Sequence, residues 1–318
     1  MSQALALVLT GPTGSGKSEW AARLARSLPI EIISVDSAQV YRGMDIGTAK
    51  PTAAVRAHIP HHLIDIRDPA QAYSAGEFVT DARAALRAIH ARGHLPVLVG
   101  GTMLYLRALM RGLAAMPAAS AAVRAELEAR AAAQGWPALH GELTAVDARA
   151  ASKIHPHDAQ RIQRALEVYQ LTGRTISDWQ GAPATARDDL HWLRFALVPT
   201  DRIALGRALE ERFSAMLDAG LLAEVAALYQ RADLHPELPA IRSVGYRQLW
   251  TYCAGQVGLE AACQQAVTAT RQLAKRQLTW LRGEHGYECL DPTADSGTTR
   301  ILAAVQRAGF VAAPVREC

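Results

Sequence analysis

The residues with the most chemical potential in this 318-residue chain are Gly11-Pro12-Thr13-Gly14-Ser15-Gly16-Lys17-Ser18, a full match to the pattern G-x-x-x-x-G-K-[ST]. Glycines at these intervals let backbone N–H groups turn inward around phosphate oxygens. Lys17 adds a positive charge, and the Ser18 hydroxyl can hold Mg²⁺. The loop therefore predicts a ligand with two or more phosphates without saying which one. Two further clusters carry polar groups after apolar runs: Asp36-Ser37-Ala38-Gln39 and Gly100-Gly101-Thr102.

The elements that must position these groups follow from the pattern around them. An apolar run, Ala4 to Leu9, precedes the glycine loop, and Glu19 to Leu28 reads as a helix stopped by Pro29. Ile30 to Val35 reads as a second strand, Ala75 to Ala91 as a helix closed by Gly93, and Leu95 to Val99 as a third strand. Strands alternating with helices predict an α/β fold: a P-loop parallel sheet with crossover helices. Ligands of such sheets collect at the carboxyl ends of the strands, where all three polar clusters lie. Residues 43–69 read as a loop. From residue 116 to 190 the sequence becomes alanine-rich and helical without a strand signal, which predicts an inserted helical subdomain in a core made of 1–115 and 191–318. Strand character returns at His191 to Val198, followed by helices over 201–232 and 259–281; the tail after Gly286 gives no clear pattern.

Composition narrows the function. The net charge of +4 is a weak pointer to a polyanionic partner. Four cysteines without C-x-x-C spacing indicate neither zinc nor a disulfide framework, no apolar stretch is long enough for a membrane span, and a cytoplasmic setting is expected. A GTPase would need an Asn-Lys-x-Asp element, and the chain has no asparagine. A motor-type ATPase would end its buried strand in a carboxylate, whereas Leu95 to Val99 runs into Gly100-Gly101. A small-molecule phosphotransferase, or an enzyme with diphosphate as leaving group, remains.

The stretch Asp36 to Pro51 closely resembles a signature of the tRNA dimethylallyltransferases, of the bacterial type without a zinc finger. Further blocks fit that family in order: Pro60 to Asp65, Gly100 to Tyr105, Asp158 to Glu167, Glu211 to Phe213, Val244 to Gln248 and Lys275 to Arg282. Gly14 and Ser18 stand where the family more often has Ala and Thr, and His157 where Asn is expected. The resemblance implies transfer of a dimethylallyl group from its diphosphate to N6 of the adenosine 3′-adjacent to the anticodon (position 37), in tRNAs reading codons that begin with U. It implies as partners the tRNA anticodon stem-loop and dimethylallyl diphosphate, with Mg²⁺ as cofactor and a monomeric enzyme.

Chemistry and resemblance together assign roles. Lys17, Ser18 and Arg212 would steady the departing diphosphate, Arg212 standing in a helix after the last core strand; a surface ion pair with a neighbouring Glu is the alternative for Arg212. Asp36 would orient and deprotonate the amine, or else sit in the Mg²⁺ shell. Thr102 would contact the adenosine or the bridging oxygen, or simply cap its helix. Ser37, Ala38 and Gln39 would line the base pocket, with the Gln39 amide reading an adenine edge. The RNA track would comprise Arg124, Gln160, Arg161, Ile162, Gln163 and Arg164 in the insert. It would continue through Arg242, Ser243, Val244, Gly245, Tyr246 and Arg247, then Lys275, Arg276, Gln277, Leu278, Thr279, Trp280, Leu281 and Arg282. In the insert, Ile162, Leu166 and Tyr169 form an apolar stripe apart from Arg161 and Arg164. On the last long helix, Ala274, Leu278 and Leu281 form the buried face. His61 and His62 read as structural or substrate-lining. Two other functions share parts of this pattern: prenyl transfer to free adenine nucleotides, and a non-catalytic ATP-binding RNA chaperone.

Overall fold

The computed structural model describes residues 4–112, 114, 116–181, 190–294 and 296–310. Contacts divide the chain into two compact units, one of residues 1–109 with 189–318 and one of residues 110–188. Among the described residues of the first unit, six strands form one all-parallel sheet. They are β1 (Ala4–Thr10), β2 (Ile30–Ser34), β3 (His61–His62), β4 (Leu95–Gly100), β5 (Leu190–Leu197) and β6 (Glu288–Leu290), in the order β3-β2-β4-β1-β5-β6. Leu7 pairs with Val97 on one side and Leu193 on the other. This central place explains why β1 is apolar on both faces: residues 5–10 are all buried.

Helices α1 (Lys17–Ala25), α2 (Ala53–His58), α3 (Ala75–Ala91) and α4 (Met103–Arg111) complete the first part of this unit. α3 begins with a reciprocal cap. Ser74 Oγ accepts the Glu77 N–H, and Glu77 accepts the Ser74 N–H. One face of the sheet packs Leu7, Leu9, Ile32 and Val97 against Trp20 and Leu24 of α1. The edge strand β3 lies inside the region expected to be a loop. It pairs Ile32 with His61 and Ile33 with His62, and Glu31, buried on β2, accepts hydrogen bonds from Arg92 (2.7 Å) and from the His62 and His94 rings (2.7 and 2.9 Å). Burial alone would raise the Glu31 pKa; the bonds from Arg92, His62 and His94 instead bring it to about 2.

The named elements of the second unit are all helices: α5 (Ala121–Gln134), α6 (Trp136–Val146), α7 (Ala148–Ala151), α8 (Ala159–Thr172) and α9 (Ile176–Gly181). Leu127, Leu139, Leu143, Ile162 and Leu166 form its core. Ile162 and Leu166 take the buried positions expected of them, but Tyr169 lies outside that core at 37% exposure. Residues 182–189 fall outside the described residues.

Beyond β5 the first unit continues with α10 (Arg202–Asp218), α11 (Leu221–Tyr229), α12 (Tyr246–Cys253), α13 (Leu259–Arg282) and α14 (Ser296–Arg307). Ala274, Leu278 and Leu281 form the buried face of α13, as its sequence predicts. β6 and α14 were not legible in the tail. β6 is three residues long, and its pairing, Ala196 with Cys289, depends on distant sequence. Arg212 therefore follows β5 rather than the last strand of the sheet. Among the described residues, no helix is long and apolar enough to cross a membrane.

Candidate active site

The glycine loop joins β1 to α1 at the carboxyl edge of the sheet. Gly14 and Gly16 sit at φ 78° and 77°, a left-handed geometry that side chains disfavour. Gly16 is the N-cap of α1 and brings no side chain of its own, so the first N–H groups of the helix face the loop's interior. The Ser15 hydroxyl is buried without a hydrogen-bond partner among the described residues. Lys17 Nζ donates to the carbonyls of Gly11 (3.0 Å) and Pro12 (2.6 Å). Burial lowers its pKa from 10.5 to about 8; Asp36 acts to raise it and Arg212 to lower it.

Asp36 stands just past β2. One carboxylate oxygen accepts the N–H of Ala38 (2.8 Å) and, more loosely, of Gln39 (3.4 Å), fixing the turn. Thr102, just past β4, does not use its hydroxyl as a helix cap. Its Oγ1 accepts the Ser37 N–H at 3.1 Å, which ties the two strand ends together. Gln39 differs from expectation more sharply. Its oxygen accepts the Ser34 hydroxyl (2.8 Å), and its nitrogen donates to the carbonyls of Thr48 (3.2 Å) and Ala49 (3.4 Å). The amide expected to read an adenine edge is committed to the protein.

Two cavities open around these groups. A larger one of about 370 Å³ runs along the glycine loop to Ile32, Val99, Pro51 and His61. A smaller one of about 130 Å³ is lined by Ala38, Phe213, Ser243, Val244, Gly245 and Tyr246. They share Thr13, Asp36, Thr48, Arg212 and Leu273. Arg212 is half-buried at this junction and, among the described residues, forms no ion pair with a glutamate, so the surface-pair alternative does not hold. Burial pulls the Arg212 pKa down while Asp36 raises it. The His61 imidazole is likewise pushed below its ordinary value by burial.

The signature segment 41–51 is held by groups that sequence patterns do not reveal. Buried Lys50 donates to the Tyr41 carbonyl (2.7 Å), Asp45 (2.5 Å) and Asp65 (2.6 Å). Glu224 on α11 accepts the N–H groups of Asp45, Ile46 and Gly47 (2.8, 2.8 and 3.2 Å) and the Tyr246 hydroxyl (2.5 Å). Glu224 lies in a stretch of Leu and Ala with nothing in its spacing to mark it. Tyr246, expected on the RNA track, is fully buried with its hydroxyl on that carboxylate.

The remaining RNA candidates separate into exposed and committed residues. Arg242, Arg247, Lys275, Arg276, Thr279 and Arg282 are exposed, while Trp280 is half-buried with Arg107 stacked 5.7 Å from its ring centre. Leu278 and Leu281 are buried and do not meet a partner. Gln277 turns inward, accepting the Thr13 N–H at 2.8 Å and donating to the Gly101 carbonyl at 2.9 Å. Within the helical unit, Gln160 and Arg161 are exposed and Ile162 is fully buried. Arg124 (2.9 Å) and Arg164 (2.7 Å) both pair with the buried carboxylate of Glu167, and Gln163 donates to Glu128. Those three side chains are bonded within the subdomain.

Among the described residues, no group of three or more His, Cys, Asp or Glu side chains could cage a metal. The larger cavity offers hard oxygen donors, the Ser18 hydroxyl and the Asp36 carboxylate, with no soft ligand beside them. That donor set fits Mg²⁺, which usually keeps several waters and binds through one or two protein oxygens plus substrate phosphates.

A family model described as IPP transferase matches residues 39–284. The tRNA dimethylallyltransferase of Thioalkalivibrio sulfidiphilus is 55% identical over 309 residues, covering 96% of this chain and 97% of the relative. That of Bordetella pertussis is 53% identical, with 95% and 97% covered. Among solved structures, the full-length tRNA isopentenylpyrophosphate transferase of Bacillus halodurans is similar with a TM-score of 0.70 at 35% identity, covering 96% of this chain and 97% of that one. Crystallographic snapshots of a eukaryotic dimethylallyltransferase acting on tRNA give 0.75 at 28% identity, with 95% and 78% covered.

Proposed function

The chain belongs to the IPP transferase family, and on that premise we propose that it prenylates tRNA, moving a dimethylallyl group from its diphosphate to N6 of the adenosine 3′-adjacent to the anticodon. The observation that carries this reading is the junction of two cavities at Thr13, Asp36 and Arg212. A diphosphate seated on the glycine loop reaches the junction from one cavity, and an extruded adenine reaches it from the other.

Asp36 and Arg212 at the junction, and Lys17, Ser18 and Thr102 near it, have tasks in that reaction. The allylic C–O bond breaks and its electron pair moves to the diphosphate, whose growing charge meets Lys17, Arg212 and the N–H groups of the loop. The Ser18 hydroxyl would hold Mg²⁺, which when bound adds positive charge against the diphosphate oxygens. As the new N–C bond forms, the amine must release a proton. The Asp36 oxygen not engaged with Ala38 and Gln39 would take it. Thr102 keeps Ser37, and with it the Asp36 turn, in register. Exposed Lys275, Arg276, Arg282, Arg242 and Arg247 offer contacts to RNA phosphates. In the helical unit, Gln160 and Arg161 serve the same purpose.

Diphosphate release provides a test. With dimethylallyl diphosphate present, an anticodon stem-loop should trigger release of inorganic diphosphate in equal number to the RNA molecules modified. Equal release with free adenosine monophosphate would move the acceptor to nucleotides, and no release with either would remove the prenyl transfer itself.

A further inference from the structure

α13 has two lives along one helix. Its outer face carries exposed Lys275, Arg276, Thr279 and Arg282, while Ala274, Leu278 and Leu281 are buried beneath. Between these faces, Gln277 reaches into the larger cavity and bonds to two strand ends at once. Its Oε1 accepts the Thr13 N–H of the glycine loop (2.8 Å), and its Nε2 donates to the Gly101 carbonyl after β4 (2.9 Å). Gly101 permits this approach, because a Cβ there would lie 2.3 Å from Gln277 Nε2. The next residue, Thr102, accepts the Ser37 N–H and so fixes the turn that carries Asp36.

We propose that Gln277 is a positioning residue: it sets the glycine loop and the Thr102–Asp36 pair at the separation that in-line displacement of diphosphate requires. Each end of the Gln277 amide is bonded to backbone and the residue is half-buried, whereas its neighbours at 275, 276 and 279 are exposed. The same rigid helix thereby presents cations to RNA and braces the leaving-group cradle. This proposal rests on the reading of Gly11 to Ser18 as a diphosphate site.

The test compares Gln277→Ala with Gln277→Met, which keeps the length and bulk but neither hydrogen bond. Four quantities are read on the full chain: unfolding midpoint, affinity for inorganic pyrophosphate, affinity for an anticodon stem-loop, and single-turnover rate with both substrates saturating. Both variants should fold and bind RNA within about twofold of wild type, yet turn over about 10–100-fold more slowly, since small misplacements of reacting groups have effects of that size. A wild-type rate in Gln277→Met would overturn the proposal, leaving Gln277 as filler. Weakened RNA affinity with a wild-type rate at saturation would place it on the RNA track instead. If both variants unfold, Gln277 is a stability residue and the positioning role is lost. Lys17→Met serves as the control for the underlying reading: if it binds pyrophosphate as wild type does, the diphosphate site itself fails, whatever Gln277 does.

Discussion

Lys17 should be a stability liability that the protein keeps for its ligand. Its ammonium is drawn into the glycine loop beside Arg212, and burial holds its pKa near 8 instead of 10.5. Keeping the proton in the folded state then costs about 3 kcal/mol at neutral pH. The sign follows from the direction of the shift. The unfolded chain binds this proton more tightly than the folded one, so the penalty is complete below pH 8 and fades as pH rises toward 10.5. Replacement by Met removes the penalty but strips the Gly11 and Pro12 carbonyls of their donor, at about 1 kcal/mol each. Lys17→Met should therefore be more stable than wild type by about 1 kcal/mol at pH 7, and less stable by roughly 1 kcal/mol at pH 10. Urea unfolding followed by circular dichroism at the two pH values measures both differences. The same variant should lose about 10–100-fold in pyrophosphate affinity, the size expected for charge-assisted hydrogen bonds. A variant that is less stable at both pH values would mean that Lys17 is held at no cost, contrary to its lowered pKa.

Other substitutions probe the remaining parts. Asp36→Asn keeps an oxygen for the Ala38 N–H but cannot take a proton, so turnover should fall by about 10²–10⁴-fold with pyrophosphate affinity retained; turnover within a few-fold of wild type would clear Asp36 of that role. Lys275→Ala should lower the slope of log affinity against log salt for the stem-loop by about one. An unchanged slope would put the residue off the RNA surface. Glu167→Ala leaves Arg124 and Arg164 without their shared buried carboxylate, which should destabilise the helical unit by about 3–5 kcal/mol. Burial tends to raise the Glu167 pKa, but hydrogen bonds from Arg124 and Arg164 depress it below 4.5. The stabilisation is thus present above that pH and lost as the pH falls beneath it, and acid titration of the unfolding midpoint in wild type and variant would reveal the difference.

What the sequence made legible was local. The end of α3 could be read because Gly93 stands just beyond its last turn, in the helix's own vicinity. β1, β2 and β4 were visible because strands buried on both faces read as apolar runs. The glycine loop, Asp36 and Thr102 were found through motif spacing, and Arg212 through its block. What escaped depends on contacts between distant segments. β3 rests on its pairing with β2, β6 on its pairing with β5, and the pose of segment 41–51 on Glu224, some 180 positions on. Gln39, Gln277 and Tyr246 carry polar groups that a sequence pattern presents as free for a substrate. Only the folded chain reveals that Ser34, Thr13 and Glu224 have already engaged them.

Prenyl transfer is tested by mixing purified protein, Mg²⁺, dimethylallyl diphosphate and an anticodon stem-loop, with mass spectrometry of the digested RNA. One dimethylallyl group should appear on the adenosine 3′-adjacent to the anticodon, and none when ATP replaces the prenyl donor. Unmodified RNA in the first mixture, or a phosphorylated product in the second, would contradict it.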